Sequence, residues 1–299
     1  MKKKSRAILI FAAALIASLA LWAAFRPREP VYQGKPVSFW FKKYVFSFSP
    51  AREEALETIA EIGPDAVPYL ARMLRKNDSA LARAYRSLRP KLPTSAQRWL
   101  PQPIEPKRLR ADAARCLGRV GLSFTTPVGP LLKAAQYPDP EMRTEALDAL
   151  LQIGPRTDEI VAAFASALED RHTTVRDAAL LGLWGVSNTL ADKSGLKLAI
   201  PALVAALKDP IWQNRMLAVR TLMNLGAEAK AAVPSLLEIF KNSAADSRLA
   251  CEAANALMAI KPTLAESVIP LVIRELEAGA RDKKTVKDVT FICPVLIRP

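Results

Sequence analysis

Six arginines recur in one register: Arg52, Arg110, Arg143, Arg176, Arg215 and Arg248. A guanidinium is always charged and offers a fixed fork of donors. A row of them has two readings, a ligand-binding stripe or a structural ladder. The regularity favours the ladder, with each arginine starting a helix and bonding the preceding turn. A second group of cations is irregular. Residues 77–110 carry eight Lys/Arg against Asp78 and Glu105, a surplus of six positive charges. Arg83, Arg86, Arg89, Lys91, Arg98, Lys107 and Arg108 are the candidates here for contact with an anionic partner. Lipid head groups, a cell-wall polymer and an acidic protein all fit that chemistry. A solvated loop covering the gap between two repeats stays open as the alternative.

Catalytic chemistry finds little support. The chain has one histidine, His172, and one imidazole cannot anchor a usual metal site. It reads as a solvated turn residue. Glu53, Glu57 and Glu61 recur every fourth residue and read as a solvated helix face rather than an acid pair. Cys116 and Cys251 fall on small buried positions, and Cys293 lies in the tail. No phosphate-binding glycine loop, nucleophile elbow or paired-cysteine motif is present. No catalytic residue, metal site, cofactor or small-molecule substrate is therefore assigned.

The elements that must hold the arginines follow from the same register. The arginine spacings are 58, 33, 33, 39 and 33. Three residues on come Ala55, Ala113, Ala146, Ala179, Ala218 and Cys251. Ten on come Ile62, Val120, Ile153, Val186, Leu225 and Met258. Eleven on come Gly63, Gly121, Gly154, Ser187, Gly226 and Ala259. A register kept through six copies is an internal repeat, and such units bury their apolar faces only by stacking. Each repeat reads as two helices. One begins at the arginine and stops at the glycine. The next opens near Pro68, Pro130, Pro201, Pro234 or Pro270. The expected fold is an all-α solenoid of about six helical hairpins over residues 51–280. The long first spacing places the basic, proline-rich insertion at about 77–109, with a helix through Leu81, Ala84, Tyr85 and Leu88 docking on the array. Residues 281–299 form an irregular tail.

Two stretches carry a more specific resemblance: Val175-Arg176 with Ala179 and Leu183, and Ile62-Gly63-Pro64 with Ala66-Val67-Pro68 and Leu70. They resemble the HEAT repeat, in particular the short HEAT-like repeats of the phycobilisome-lyase group, here of a membrane-anchored bacterial type. The resemblance implies a binding scaffold with a protein partner. Through relatives it also raises an enzyme of the chromophore-lyase or DNA-glycosylase type.

The chain carries a formal charge of +14, unevenly placed. Residues 111–280 hold seventeen Lys/Arg and nineteen Asp/Glu, a net −2, which argues against a nucleic-acid partner. Basic residues 1–6 precede an uncharged run of 19 residues, Ala7–Phe25. As a helix it would be about 28 Å long, enough for one membrane span. This gives the expectation of a transmembrane signal anchor with its N-terminus in the cytoplasm and the repeats exported. The alternative is a signal peptide cleaved after Ser18-Leu19-Ala20, leaving a secreted chain. Residues 26–50 follow as linker and capping segment. A helix from about Val37 to Phe46 either covers the first repeat or lies at a bilayer surface. The function expected is a non-catalytic, membrane-anchored interaction scaffold. A binder of anionic envelope components through the insertion is the further alternative.

Overall fold

Apolar residues at helical spacing become stacked helices in a computed structural model of the chain. It describes residues 29–76, 80–100, 105–124, 127–154, 157–189, 193–242, 247–264 and 270. A small hairpin comes first. β1 (Val31–Tyr32) pairs antiparallel with β2 (Lys35–Pro36) across Gln33 and Gly34, whose φ values are 50° and 72°. Two positive φ values in a two-residue turn suit the twist of a hairpin. The first helix, α1 (Val37–Phe46), buries Val37, Trp40, Phe41, Tyr44 and Val45 against α2 (Ala51–Ile62). Its Phe41 ring meets Tyr69 edge-on at 5.8 Å. α1 thus covers the apolar face of the first repeat, which water would otherwise meet.

The arginine-led helices are α2, α6 (Pro106–Gly121), α8 (Pro140–Ile153), α10 (Thr173–Thr189), α12 (Trp212–Leu225) and α14 (Ser247–Ile260). They pack one on the next in chain order. Shorter helices lie to one side: α3 (Val67–Leu74), α7 (Val128–Ala134), α9 (Asp158–Ala167), α11 (Ile200–Ala206) and α13 (Val233–Asn242). The small register residues Ala55, Ala113, Ala146, Ala179 and Ala218 have no exposed surface. Leu70, Leu117, Leu147, Leu150, Leu180 and Leu183 are equally buried around them and continue one core along the array.

The helices do not begin at the arginines. α6, α8, α10 and α12 start three or four residues earlier, at Pro106, Pro140, Thr173 and Trp212. Gly63, Gly154 and Gly226 end their helices with φ of 66°, 81° and 56°, a region open to glycine at little cost. Gly121, Ser187 and Ala259 instead lie within helices. Short 3-10 segments Gly63–Ala66, Ser194–Ala199 and Gly226–Ala232 bridge from long helix to short one.

The architecture is an all-α helical-repeat solenoid, but its expected transmembrane helix is corrected. Among the described residues no helix is long and apolar enough to cross a membrane. The longest, α10, has 17 residues and carries Arg176 and Asp177, where a span needs about 20 mainly apolar residues. Residues 7–25, on which that expectation rested, lie outside the described residues, as do Cys293 and the tail from 281. Single-pass membrane placement is therefore withdrawn. The insertion also differs from expectation. Its helices α4 (Ala80–Leu88) and α5 (Thr94–Trp99) bury no residue, and Leu81 and Leu88 of the expected docking stripe are exposed.

Candidate functional site

The six arginines line the turns between short and long helices. Arg143 grips Asp170 with two bonds, Nε to Oδ2 at 2.7 Å and Nη2 to Oδ1 at 2.9 Å. Its Nη1 donates to the Tyr137 carbonyl at 2.7 Å. Arg176 repeats this with Asp209 (Nε to Oδ2, 2.6 Å) and the Asp170 carbonyl (2.9 Å). Arg110 bonds Asp139 at 2.8 Å, and Arg215 bonds the Asp209 carbonyl at 2.9 Å. Each of these guanidinium groups caps its own turn through a carbonyl, and three of them also seize the aspartate of the next turn. In Arg110 the carbonyl belongs to Lys76, at 3.4 Å. Lys76 therefore occupies the place that the residue six before the arginine holds elsewhere, and the insertion leaves from that turn. The ends of the row depart from the pattern. Arg52 bonds Asp112 of α6 at 2.9 Å and lies 4.2 Å from the Tyr44 ring centre, whereas Arg248 stacks over Trp212 at 5.5 Å.

The aspartates are held by more than charge. Asp170 accepts the His172 amide and Asp209 the Ile211 amide, each at 2.8 Å, closing a local turn two residues on. Burial pushes both carboxyls up, but bonds from Arg143 and the His172 amide, and from Arg176 and the Ile211 amide, outweigh it. Both pKa values end below the ordinary carboxylate value. His172 serves through its backbone, while its ring accepts from Arg171 Nε at 3.1 Å.

The face of the long helices turned away from the short ones carries a second set of charges. Arg119 pairs with Glu57 and Arg115 with Glu145, each at 2.5 Å, and Arg220 pairs with Glu252 at 2.6 Å. Glu57 thus belongs to an inter-helix pair rather than to a row of like acids. Between these crossings lie Asp148 of α8 and Asp177 of α10. The Asp177 Oδ1 is buried without a hydrogen-bond partner. Burial raises the pKa of Asp148 despite Arg115. Burial also raises Glu145, against the pull of Arg115 and with a further push from Asp148. Beside them Leu181 and Trp184 share one face of α10, at 43% and 36% exposure. Leu151 of α8 abuts Gly185, where a Cβ would stand 3.0 Å from its Cδ1. Hydrogen bonds brace the end of α10. Asn224 donates to Ser187 and Asn188, both at 3.1 Å, and both of those side chains donate to the Trp184 carbonyl.

The insertion cations are not gathered into one patch. Arg89 turns inward to the Gln97 and Leu100 carbonyls, at 3.0 and 3.5 Å. Arg108 bonds the Val45 carbonyl at 3.0 Å, and Lys107 pairs with Glu141 at 3.3 Å. Arg86 is half-buried, while Arg83, Lys91 and Arg98 are exposed. Cys116 and Cys251 are buried and form no disulfide among the described residues. Burial first, then Asp112, holds the Cys116 thiol well above its usual range and makes it a poor nucleophile.

The repeated turn geometry has a counterpart among known sequences. The family profile described as HEAT repeats matches residues 104–184 and 161–258, together more than half of the chain. The chain belongs to the HEAT repeat family. No curated protein matches it. Among solved structures, an engineered protein is similar at 19% identity, over 76% of this chain and 96% of that one, with a TM-score of 0.45. A designed armadillo repeat protein in complex with the peptide (KR)4 is similar at 14% identity, over 75% and 99%, with a TM-score of 0.45. The karyopherin Kap121p bound to the SUMO protease Ulp1p is similar at 14% identity, over 85% and 32%, with a TM-score of 0.47.

HEAT repeats are typical of protein-interaction scaffolds. Among the described residues no three His, Cys, Asp or Glu side chains converge to hold a metal ion. The acidic and apolar strip of Asp148, Asp177, Leu181 and Trp184 was missed by reading the sequence for charge runs. The only sequence signal for it is that these residues stand one, five and eight places after their ladder arginines. Those register places carry other residue types in the other repeats.

Proposed function

We propose that this HEAT protein is a non-catalytic scaffold that holds an extended, basic protein segment on its long-helix face. The observation carrying the reading is the strip between the ion-paired crossings. Glu57, Glu145 and Glu252 each meet an arginine of a neighbouring helix, whereas among the described residues Asp148 and Asp177 form no ion pair and the Asp177 Oδ1 is buried without a hydrogen-bond partner. An incoming lysine or arginine would supply the missing charge. Leu181 and Trp184 would take the neighbouring apolar side chain, since a part-exposed tryptophan is a common anchor at interfaces. The arginine row belongs to the scaffold rather than to the ligand, since its forks are occupied by aspartates and carbonyls.

The test is fluorescence anisotropy on the full chain, with a labelled probe peptide alternating lysine and leucine. Trp184→Ala and Asp148→Asn should each weaken binding about tenfold, the scale of an interface hot spot. A glutamate-leucine probe that binds equally well would exclude the reading, as would unchanged affinity in both variants.

A further inference from the structure

A second surface, of opposite charge, lies on the short-helix side. There α3 packs on the long helix α6 rather than against α7. The space between α3 and α7 is a cavity of about 350 Å³. Leu74 of α3, Pro130 and Ala134 of α7 and Met142 of α8 make an apolar floor, and Arg75 and Lys133 stand on its rim. Both cations lie in or just past the last turn of a helix, where positive charge is favourable in its own right. Both are also exposed, so their charge faces whatever enters the cleft. Clefts of this size, apolar with a few polar groups at the edge, are where ligands and partner side chains settle.

The insertion starts at the same rim. Arg110, which bonds the Lys76 carbonyl at 3.4 Å, also lies 5.6 Å from the ring centre of Tyr137, itself a lining residue of the cleft. One residue past Arg75 the chain therefore leaves the array from a fixed point. What it then builds is amphipathic and uncovered. Leu81 is 84% exposed, Leu88 55% and Trp99 89%. Arg83, Lys91 and Arg98 are exposed with them. Large apolar side chains at such exposure, on a helix that buries nothing, mark an interaction surface.

We infer that the cleft and the insertion together accept an acidic amphipathic helix of a partner protein. Its apolar stripe seats in the cleft and against Leu81, Leu88 and Trp99, while its carboxylates face Arg75, Lys133 and the exposed insertion cations. The exposed cations Arg75, Lys133, Arg83, Lys91 and Arg98 select the sign of the partner. The apolar floor selects a peptide over a nucleic acid, whose phosphates have nothing to place there. This surface is distinct from the long-helix face and prefers the opposite charge.

The experiment uses the full chain and a labelled helical peptide with leucine at every third and fourth position and glutamate elsewhere. The double variants Arg75→Glu/Lys133→Glu and Leu81→Ser/Trp99→Ser change only exposed side chains, and circular dichroism confirms that each folds. Each should weaken anisotropy-monitored binding about tenfold or more, and added salt should weaken it in the parent chain. Trp184→Ala should leave this probe unaffected. Three results would overturn the inference: equal binding by both double variants, equal binding of a glutamine version of the peptide, or tighter binding of a single-stranded oligonucleotide. Self-association of the chain that Leu81→Ser/Trp99→Ser abolishes while peptide binding is absent would assign the surface to a second copy, and overturn it too.

Discussion

Asp209 shows how much one ladder residue does. Its carboxylate takes two donors of Arg176 and the Ile211 amide, and its carbonyl takes Arg215. Asp209→Ala strands the Arg176 guanidinium in a mostly buried site, and breaking such a pair costs about 3–5 kcal/mol. Urea unfolding should show that loss as a lower midpoint. The pH dependence has a definite direction. Asp170 and Asp209 bind fewer protons folded than unfolded near their pKa values, because those values are lowered in the fold. Their stabilisation is complete above the unfolded carboxylate pKa and disappears as pH falls through the lowered folded values. Asp209→Ala should therefore flatten the acid limb of the stability curve. Glu145 and Asp148 behave oppositely, since burial raises both. A bound cation favours their ionised form, so affinity for the lysine-leucine probe should rise with pH through the range just above ordinary carboxylate values. A probe carrying norleucine in place of lysine should show no such rise.

Packing between elements sets the next scale. Gly182 of α10 faces Phe164 of α9 so closely that a Cβ there would stand 2.3 Å from the ring. Phe164 is fully buried and has nowhere to turn. Gly182→Ala, like Ala179→Leu, should cost about 1–3 kcal/mol, read as a lowered melting temperature. An unchanged melting temperature for both would mean that these helices are not in close contact. Much of this was legible in the sequence. The arginine row, the small residue three places on and the capping glycines 63, 154 and 226 repeat because each repeat solves the same packing problem. The aspartate partners were harder to see, because they stand 29, 27 and 33 residues after Arg110, Arg143 and Arg176. Loop length varies between repeats, so the pairing exists in space without a fixed spacing. Helix α9 opens with Asp158 and carries no proline signal. The insertion helix has the apolar stripe of a docked helix, yet whether a stripe meets the array depends on where its loop carries it, which periodicity does not encode. The membrane expectation was drawn from a segment outside the described residues, and the helices that are described are too short and too charged to span.

Over the whole molecule the repeats divide their labour by face. One edge carries the arginine–aspartate ladder and holds the turns together. The long-helix face carries the ion pairs of Glu57, Glu145 and Glu252, with Asp148 and Asp177 outside those pairs beside Leu181 and Trp184. The short-helix side opens at the cleft bordered by Arg75 and Lys133. A solenoid offers such faces because each repeat contacts only its neighbours, leaving one stripe of every helix free for a partner. The central claim is that the long-helix face is the one that takes a basic segment. The most direct measurement is cross-link mapping: a lysine-leucine probe bearing a photo-reactive leucine is irradiated with the full chain, and the adducts are located by mass spectrometry. The account predicts adducts on residues 144–152 of α8 and 177–188 of α10, lost with Trp184→Ala. Adducts confined to the short helices or to the insertion would contradict it.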